Sequence, residues 1–147
     1  MSSTETTPRE RLASVGLRTT TQRVAVLEAI GPGEHLDADQ IRDRVTTQIG
    51  KVSTQAVYDV LRALSEASLL RKIQPAGSSA LYELRVADNH HHLICRSCRQ
   101  IIDIDCAHGA APCIEPDDDH GFTLDQAEVT YWGLCPTCAA TSPSAQP

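Results

Sequence analysis

Two short cysteine pairs, "CRSC" at residues 95–98 and "CPTC" at residues 135–138, have 36 residues between them and constrain this 147-residue chain more than any other feature. Each C-x-x-C knuckle presents two thiols, and two knuckles supply the four corners of a tetrahedron. That is the coordination Zn²⁺ takes where it serves structure, because no position is left open for a substrate. Cys95, Cys98, Cys135 and Cys138 are therefore read as one structural zinc site. A redox dithiol would not need a second copy. In a reducing compartment, six cysteines favour metal ligands or redox thiols over a disulfide framework. Cys106 and Cys113 belong to neither knuckle, and for them a spare thiol and a redox role stand level.

A closed metal site suits a domain too small to hold itself together by packing alone. Apolar residues make up 41% of the chain but aromatics only 3%, so the core is expected from Ala, Val, Leu and Ile. Charge divides the chain. Residues 1–85 carry eleven Lys/Arg against ten Asp/Glu, while residues 86–147 carry two against nine. This shift marks a boundary, giving domains at 1–86 and 87–140 and a disordered tail, "TSPSAQP", at 141–147. No segment approaches the ~20 apolar residues of a membrane span, and "MSSTETTPRERL" lacks the apolar run of a secretory signal. A cytoplasmic protein is expected, with no membrane partner.

The first domain reads as helices followed by a hairpin. "RERLASVG" at 9–16 and "TQRVAVLEAIG" at 21–31 each end at glycine, the second with Val24, Leu27 and Ile30 at helical spacing. "DADQIRDRV" starts at the N-cap candidate Asp37. In "STQAVYDVLRALSEASLL", Val57, Val60, Leu61 and Leu64 form one stripe, and Thr54, Gln55, Tyr58 and Arg62 share a separate polar face. Two strand-like runs in "LLRKIQPAGSSALYEL" then flank a Pro-Ala-Gly-Ser-Ser turn. This order is that of a winged helix-turn-helix. Taken alone, the polar face of the fourth helix reads as an ordinary solvated surface. Its tyrosine, amide and arginine, with Arg18 and Arg23 nearby, shift the reading toward base and phosphate contacts on DNA. A near-neutral domain would need a dimer to place two such helices on one duplex.

Beyond residue 86 the pattern is strand-like in "HLIC", "QIIDID" and "AEVTYWGLC", with an acidic "EPDDDHG" between. The overall class is α+β: a winged helix followed by a small α/β domain. Just ahead of the first knuckle stand three histidines in "DNHHHLICRSC". A four-thiol zinc site has no room for them. On a strand His90 and His92 share one face and His91 the other, so the first two can chelate one ion. Glu83, Asp103 and His35 would complete a nitrogen and oxygen set suited to Fe²⁺, Mn²⁺ or Zn²⁺.

The motifs "GLRTTTQRVAVLEAI", "EHLDADQI", "VSTQAVYDVLRAL", "LYEL", "HHHLICRSC", "IIDID" and "YWGLCPTC" together resemble the ferric uptake regulator family of metal-dependent bacterial repressors, over roughly residues 10–140. "NHHHLICRSCRQIIDIDC" and the two extra cysteines are most similar to the actinobacterial, peroxide-responsive branch that represses catalase or catalase-peroxidase genes. The resemblance implies a homodimer on double-stranded operator DNA, its own gene among the targets. It makes Cys95, Cys98, Cys135 and Cys138 structural zinc ligands, and His35, Glu83, His90, His92 and Asp103 ligands of a regulatory Fe²⁺ or Mn²⁺ bridging the two domains. Arg18 and Tyr58 match positions that touch DNA. Asp103 stands where the family's peroxide sensors tend to carry Asp and its iron-uptake repressors Glu; with Fe²⁺ bound, peroxide would oxidise a ligand histidine.

Two positions depart from the family pattern. Ala127 stands where some members use a histidine, which tells against a third metal site from His91 and His120. Asp59 stands where Arg or Asn is frequent, so the operator sequence does not carry over. A sensor of iron, zinc or nickel availability uses the same parts, and a thiol sensor would use Cys106 and Cys113. An enzyme is not expected, and no small organic substrate: H-E-x-x-H is absent, as is the deaminase pairing of H-x-E with P-C-x-x-C.

Overall fold

Short polar residues write the helix starts in this chain. The computed structural model describes residues 5–86, 88–106 and 114–141; Cys113 and the tail from 142 onward lie outside them. The chain divides into two units between residues 87 and 88. In the first, α1 (Pro8–Ser14) opens with a reciprocal cap: the Thr7 hydroxyl accepts from the Glu10 N–H at 3.3 Å, and the Glu10 carboxylate accepts from the Thr7 N–H at 2.7 Å. The pair satisfies two donors that a helix start leaves orphaned. Thr20 caps α2 (Thr21–Ala29). Asp37 and Gln40 repeat the reciprocal cap at α3 (Ala38–Ile49), with bonds of 2.8 and 3.0 Å. Gly50, at φ 90°, ends α3 in a conformation that suits glycine, and Ser53 caps α4 (Thr54–Glu66).

The stripe of α4 is buried as its spacing implies: Val57, Val60, Leu61 and Leu64 enter the core. In α2 the single-stripe reading falls short. Ala25, Val26, Leu27 and Ala29 are buried and Ile30 beyond them, whereas Val24 is only half-buried. The reason is that α2 packs against α1, α3 and α4 at once, so more than one of its faces is covered.

After α4, β1 (Arg71–Ile73) and β2 (Leu81–Glu83) pair antiparallel, with Arg71 opposite Glu83 and Ile73 opposite Leu81. Tyr82 also exchanges both backbone hydrogen bonds with Leu36, at 2.8 and 3.1 Å. The residues just before α3 thus form a short third rung on the hairpin. This completes a winged helix-turn-helix.

The second unit is a three-stranded sheet in the order β4-β3-β5, built from β3 (His90–Cys95), β4 (Ile101–Asp105) and β5 (Thr130–Gly133). β3 runs antiparallel to β4 and parallel to β5. β5 is shorter than the apolar run that foretold it. Thr141, read from sequence as tail, instead closes α5 (Pro136–Thr141), its hydroxyl donating to the Thr137 and Cys138 carbonyls at 3.3 and 3.1 Å. Among the described residues no helix is long and apolar enough to cross a membrane.

Leu61 is fully enclosed in α4 while Tyr58, one turn earlier, is 47% exposed. Leu61→Ala is expected to destabilise the first unit by about 2–5 kcal/mol through the cavity it leaves. Tyr58→Ala should leave stability nearly unchanged. Urea unfolding followed at the helical circular-dichroism band checks the contrast, and equal midpoint shifts for the two variants would refute it.

Candidate functional site

The two cysteine knuckles meet because β3 and β5 pair. Cys95 ends β3 opposite Gly133 of β5, two residues before Cys135, and Pro136 opens α5 so that Cys138 follows one turn later. Arg99, at φ 66°, turns the chain back toward β4, its N–H donating to the Cys95 carbonyl at 3.0 Å. The four sulfurs of Cys95, Cys98, Cys135 and Cys138 all lie within 4.8 Å of one another, with Cys98 and Cys135 3.8 Å apart. A zinc–sulfur bond of about 2.3 Å gives a tetrahedral edge of about 3.8 Å, so the spacing fits the ion.

Their acidities express the same crowding. The Cys135 N–H, donating to Cys95 Sγ at 3.4 Å, is the largest of several hydrogen bonds that draw the Cys95 thiol down to about 6. Cys138 is pushed up to about 11, first by the Cys135 sulfur. Four thiolates this close repel one another unless a cation joins them. Beside the knuckle, Arg96 and Arg99 place their guanidinium carbons 5.2 and 5.7 Å from the centre of the Trp132 ring.

A second type of donor set occurs in each unit. In the first, the Leu36–Tyr82 pairing brings their chain neighbours His35 and Glu83 together, Nε2 to Oε2 at 2.7 Å, with both side chains buried. The loop holding His35 is clipped on its other side. Arg44 donates to the Ala29 carbonyl at 2.8 Å and to Glu34 Oε1 at 3.0 Å, and Glu34 accepts from the Gly31 N–H at 2.8 Å. A Cβ at Gly31 would stand 2.9 Å from Glu34 Oε2, so a side chain there would require the Glu34 carboxylate to shift.

In the second unit His92 stands opposite Asp103 across β3 and β4. Asp103 Oδ1 lies 3.4 Å from His92 Nε2 and 3.8 Å from His90 Nε2, and the two rings are 4.9 Å apart. Asp88 Oδ1 is 2.6 Å from His90 Nδ1. An ionised carboxylate only accepts, so Asp88 favours the His90 tautomer that carries its proton on Nδ1.

The polar face of α4 is exposed at Thr54, Gln55, Tyr58, Asp59 and Arg62. Thr54 Oγ1 accepts from Arg42 at 3.0 Å, while Asp59 Oδ1 accepts from Gln55 at 2.9 Å and from Arg62 at 3.0 Å. Arg18 is exposed and its carbonyl accepts from Arg23 at 2.7 Å. Three residues that sequence reasoning gave no place among the site residues, Asp59, Asp88 and Arg44, hydrogen-bond to side chains at or beside them. The i, i+4 spacing of Gln55 and Asp59 and the D-x-H of Asp88 and His90 were the signals available. Cys106, half-buried past the end of β4, donates its N–H to the Asn89 carbonyl at 3.2 Å. His91 is buried on β3, and His120 sits at φ 51° in an exposed turn, 3.4 Å from Asp118. Among the described residues neither joins a metal-ligating cluster.

Cys95→Ser or Cys138→Ser is expected to abolish zinc binding and remove about 10 kcal/mol or more of folding energy from the second unit. Trp132, the one tryptophan of the chain, reports the change by its fluorescence, alongside zinc content. Zinc-free variants with native tryptophan emission would contradict the role given to the cluster.

The ferric uptake regulator family model matches residues 14–132. The transcriptional regulator FurA of Mycobacterium tuberculosis is 56% identical over 135 residues, 92% of each chain. The ferric uptake regulation protein 1 of Mycolicibacterium fortuitum is 54% identical over 82% of this chain and 75% of that protein. Among solved structures, the ferric uptake regulator from Pseudomonas aeruginosa with manganese is similar at a TM-score of 0.66 over 88% of this chain and 98% of that one; at 21% identity it bears on the fold alone. Because the family match runs from α1 into β5 and so takes in both units, this chain belongs to the ferric uptake regulator family, a metal-binding transcription regulator and not an enzyme.

Proposed function

We propose that this chain is a cytoplasmic, homodimeric repressor that grips operator DNA through α4 while a regulatory Fe²⁺ or Mn²⁺ is held, and that with iron it releases DNA in peroxide. The observation that carries the reading is the division of the nitrogen and oxygen donors. His35 and Glu83 belong to the first unit, and His90, His92 and Asp103 to the second. Two or three donors leave a divalent ion short of its usual shell, and the five together suit Fe²⁺, Mn²⁺ or Zn²⁺. An ion taken by both halves binds one arrangement of the units better than another, which is what a switch requires. Zn²⁺ at the four cysteines would serve structure only.

A homodimer is supported by the sheet. Leu93, Ile102 and Tyr131 stand in register across β3, β4 and β5 and are 40–50% exposed, an apolar row that a second copy would cover. The peroxide reading, with catalase or catalase-peroxidase and its own gene as targets, rests on the family resemblance and on Asp103. Iron, when bound, would supply the reactivity toward peroxide that manganese lacks; the protein's part is to keep histidines within reach. A repressor sensing iron availability is the second reading, favoured by the name of the M. fortuitum relative, and it uses the same ligands. Sensors of zinc or nickel would differ only in the ion preferred.

Metal dependence is tested by gel-shift titration on a duplex selected by the wild-type protein from a random library. Mn²⁺ is expected to tighten binding roughly 5–150-fold over the chelator-treated protein, the range of ordinary allosteric coupling. His35→Ala and His92→Ala should each lose that gain while keeping zinc. Equal affinity with and without metal would dismiss the switch.

Peroxide sensing is tested by mass spectrometry of the iron-loaded protein after dilute peroxide. Oxidation is expected on His35 or His90, and Cys106→Ser with Cys113→Ser should still release DNA. The manganese form should stay bound. A Cys106–Cys113 disulfide, indifferent to the metal, would establish thiol sensing instead, and an iron-loaded protein that keeps its DNA in peroxide would leave metal availability as the signal.

A further inference from the structure

We infer that Asp59 sets the base preference of α4 by locking the side-chain amide of Gln55 into the orientation that reads adenine. This rests on α4 being the helix that enters the major groove. Gln55 lies in the first turn of α4, the part of a recognition helix that meets base edges. Asp59 is one turn further on, and its Oδ1 accepts from Gln55 Nε2 at 2.9 Å. Both side chains lie on the exposed face.

The orientation follows from chemistry. An ionised carboxylate has no proton to give, so only the nitrogen end of the amide can face it. That leaves Gln55 Oε1 as a free acceptor and the second N–H as a free donor. Adenine shows the matching pair in the major groove, the N6 amino donor and the N7 acceptor, whereas guanine shows two acceptors. Against guanine, Gln55 Oε1 would face O6. The amide cannot turn over to escape, because Oε1 would then face the Asp59 carboxylate.

Arg62 strengthens the arrangement. Its guanidinium donates to the same Asp59 oxygen at 3.0 Å, which offsets a negative charge that would otherwise be repelled by DNA phosphates. It also holds back a side chain whose two-pronged partner is guanine. One carboxylate therefore favours adenine through Gln55 and restrains the guanine reader beside it.

The test is selection from a random-sequence duplex library by the metal-loaded full-length protein, for wild type, Gln55→Ala, Asp59→Ala and Tyr58→Ala. The wild-type consensus is expected to contain an adenine position in each half-site, and replacing that A·T by G·C should weaken binding roughly 5–150-fold, as loss of a bidentate base contact does. In Gln55→Ala and Asp59→Ala the same replacement should cost no more than about twofold, with circular dichroism and zinc content unchanged, since both residues are exposed. An adenine preference retained in Asp59→Ala, or absent from the wild-type consensus, overturns the inference. The underlying premise is distinguished by Tyr58→Ala. If that variant binds weakly while Asp59→Ala keeps the preference, only the role of Asp59 fails; if all three variants select the wild-type sequence at wild-type affinity, α4 is not the reading helix.

Discussion

The described residues of the second unit depend on the convergence of four sulfur atoms. Among the described residues of that unit the buried apolar side chains are Ile94 and Cys95, and its strands run only four to six residues. A sheet that small has little hydrophobic free energy to set against the ordering of its backbone. The cysteine cluster takes the place of a core. It also pins the parallel pairing of β3 and β5, a contact between segments some forty residues apart that gains nothing until a long loop has closed. Register then decides faces. With Cys95 opposite Gly133, Leu93 lies beside Ile102 and Tyr131, while His90 and His92 gather on Asp103. A slip of one residue would exchange these sets, turning leucine toward the metal ligands and histidine toward the apolar row.

The first unit uses a much smaller device to the same end. A single rung between Leu36 and Tyr82 places His35 against Glu83. Arg44 of α3 holds the same loop from the helix side through Glu34 and the Ala29 carbonyl. The loop is thus tied to the wing at one end and to the helix-turn-helix at the other. The loop that carries His35 is tied to α3 through Arg44, and α3 packs directly against α4.

Much of this was legible in the order of residues, for reasons that differ from element to element. The α4 stripe could be read because that helix has one wet face and one dry one. The α2 stripe could not, since three neighbours cover it and periodicity records only one face. The knuckles were plain because C-x-x-C spacing is itself the geometry of chelation. That Asp88 orients His90, or that Asp59 restrains both Gln55 and Arg62, was not plain: spacing shows which residues can meet, while burial and competing partners decide whether they do. The start of α1 at Pro8 was readable in the T-x-x-E of Thr7 and Glu10, a signal easily passed over beside the longer apolar runs.

The split of the cysteines into two distant pairs also has a bearing on biosynthesis. Cys98 and Cys135 are 37 residues apart in the chain. At roughly 5–20 residues per second, a ribosome delivers the second pair about 2–7 seconds after the first. During that interval Cys95 and Cys98 form an open dithiol on a nascent chain, able to capture any thiophilic ion or to be oxidised. An ion taken up in that interval is held by two thiolates and still exchanges; the closed tetrahedron that retains it forms only once Cys135 and Cys138 have arrived.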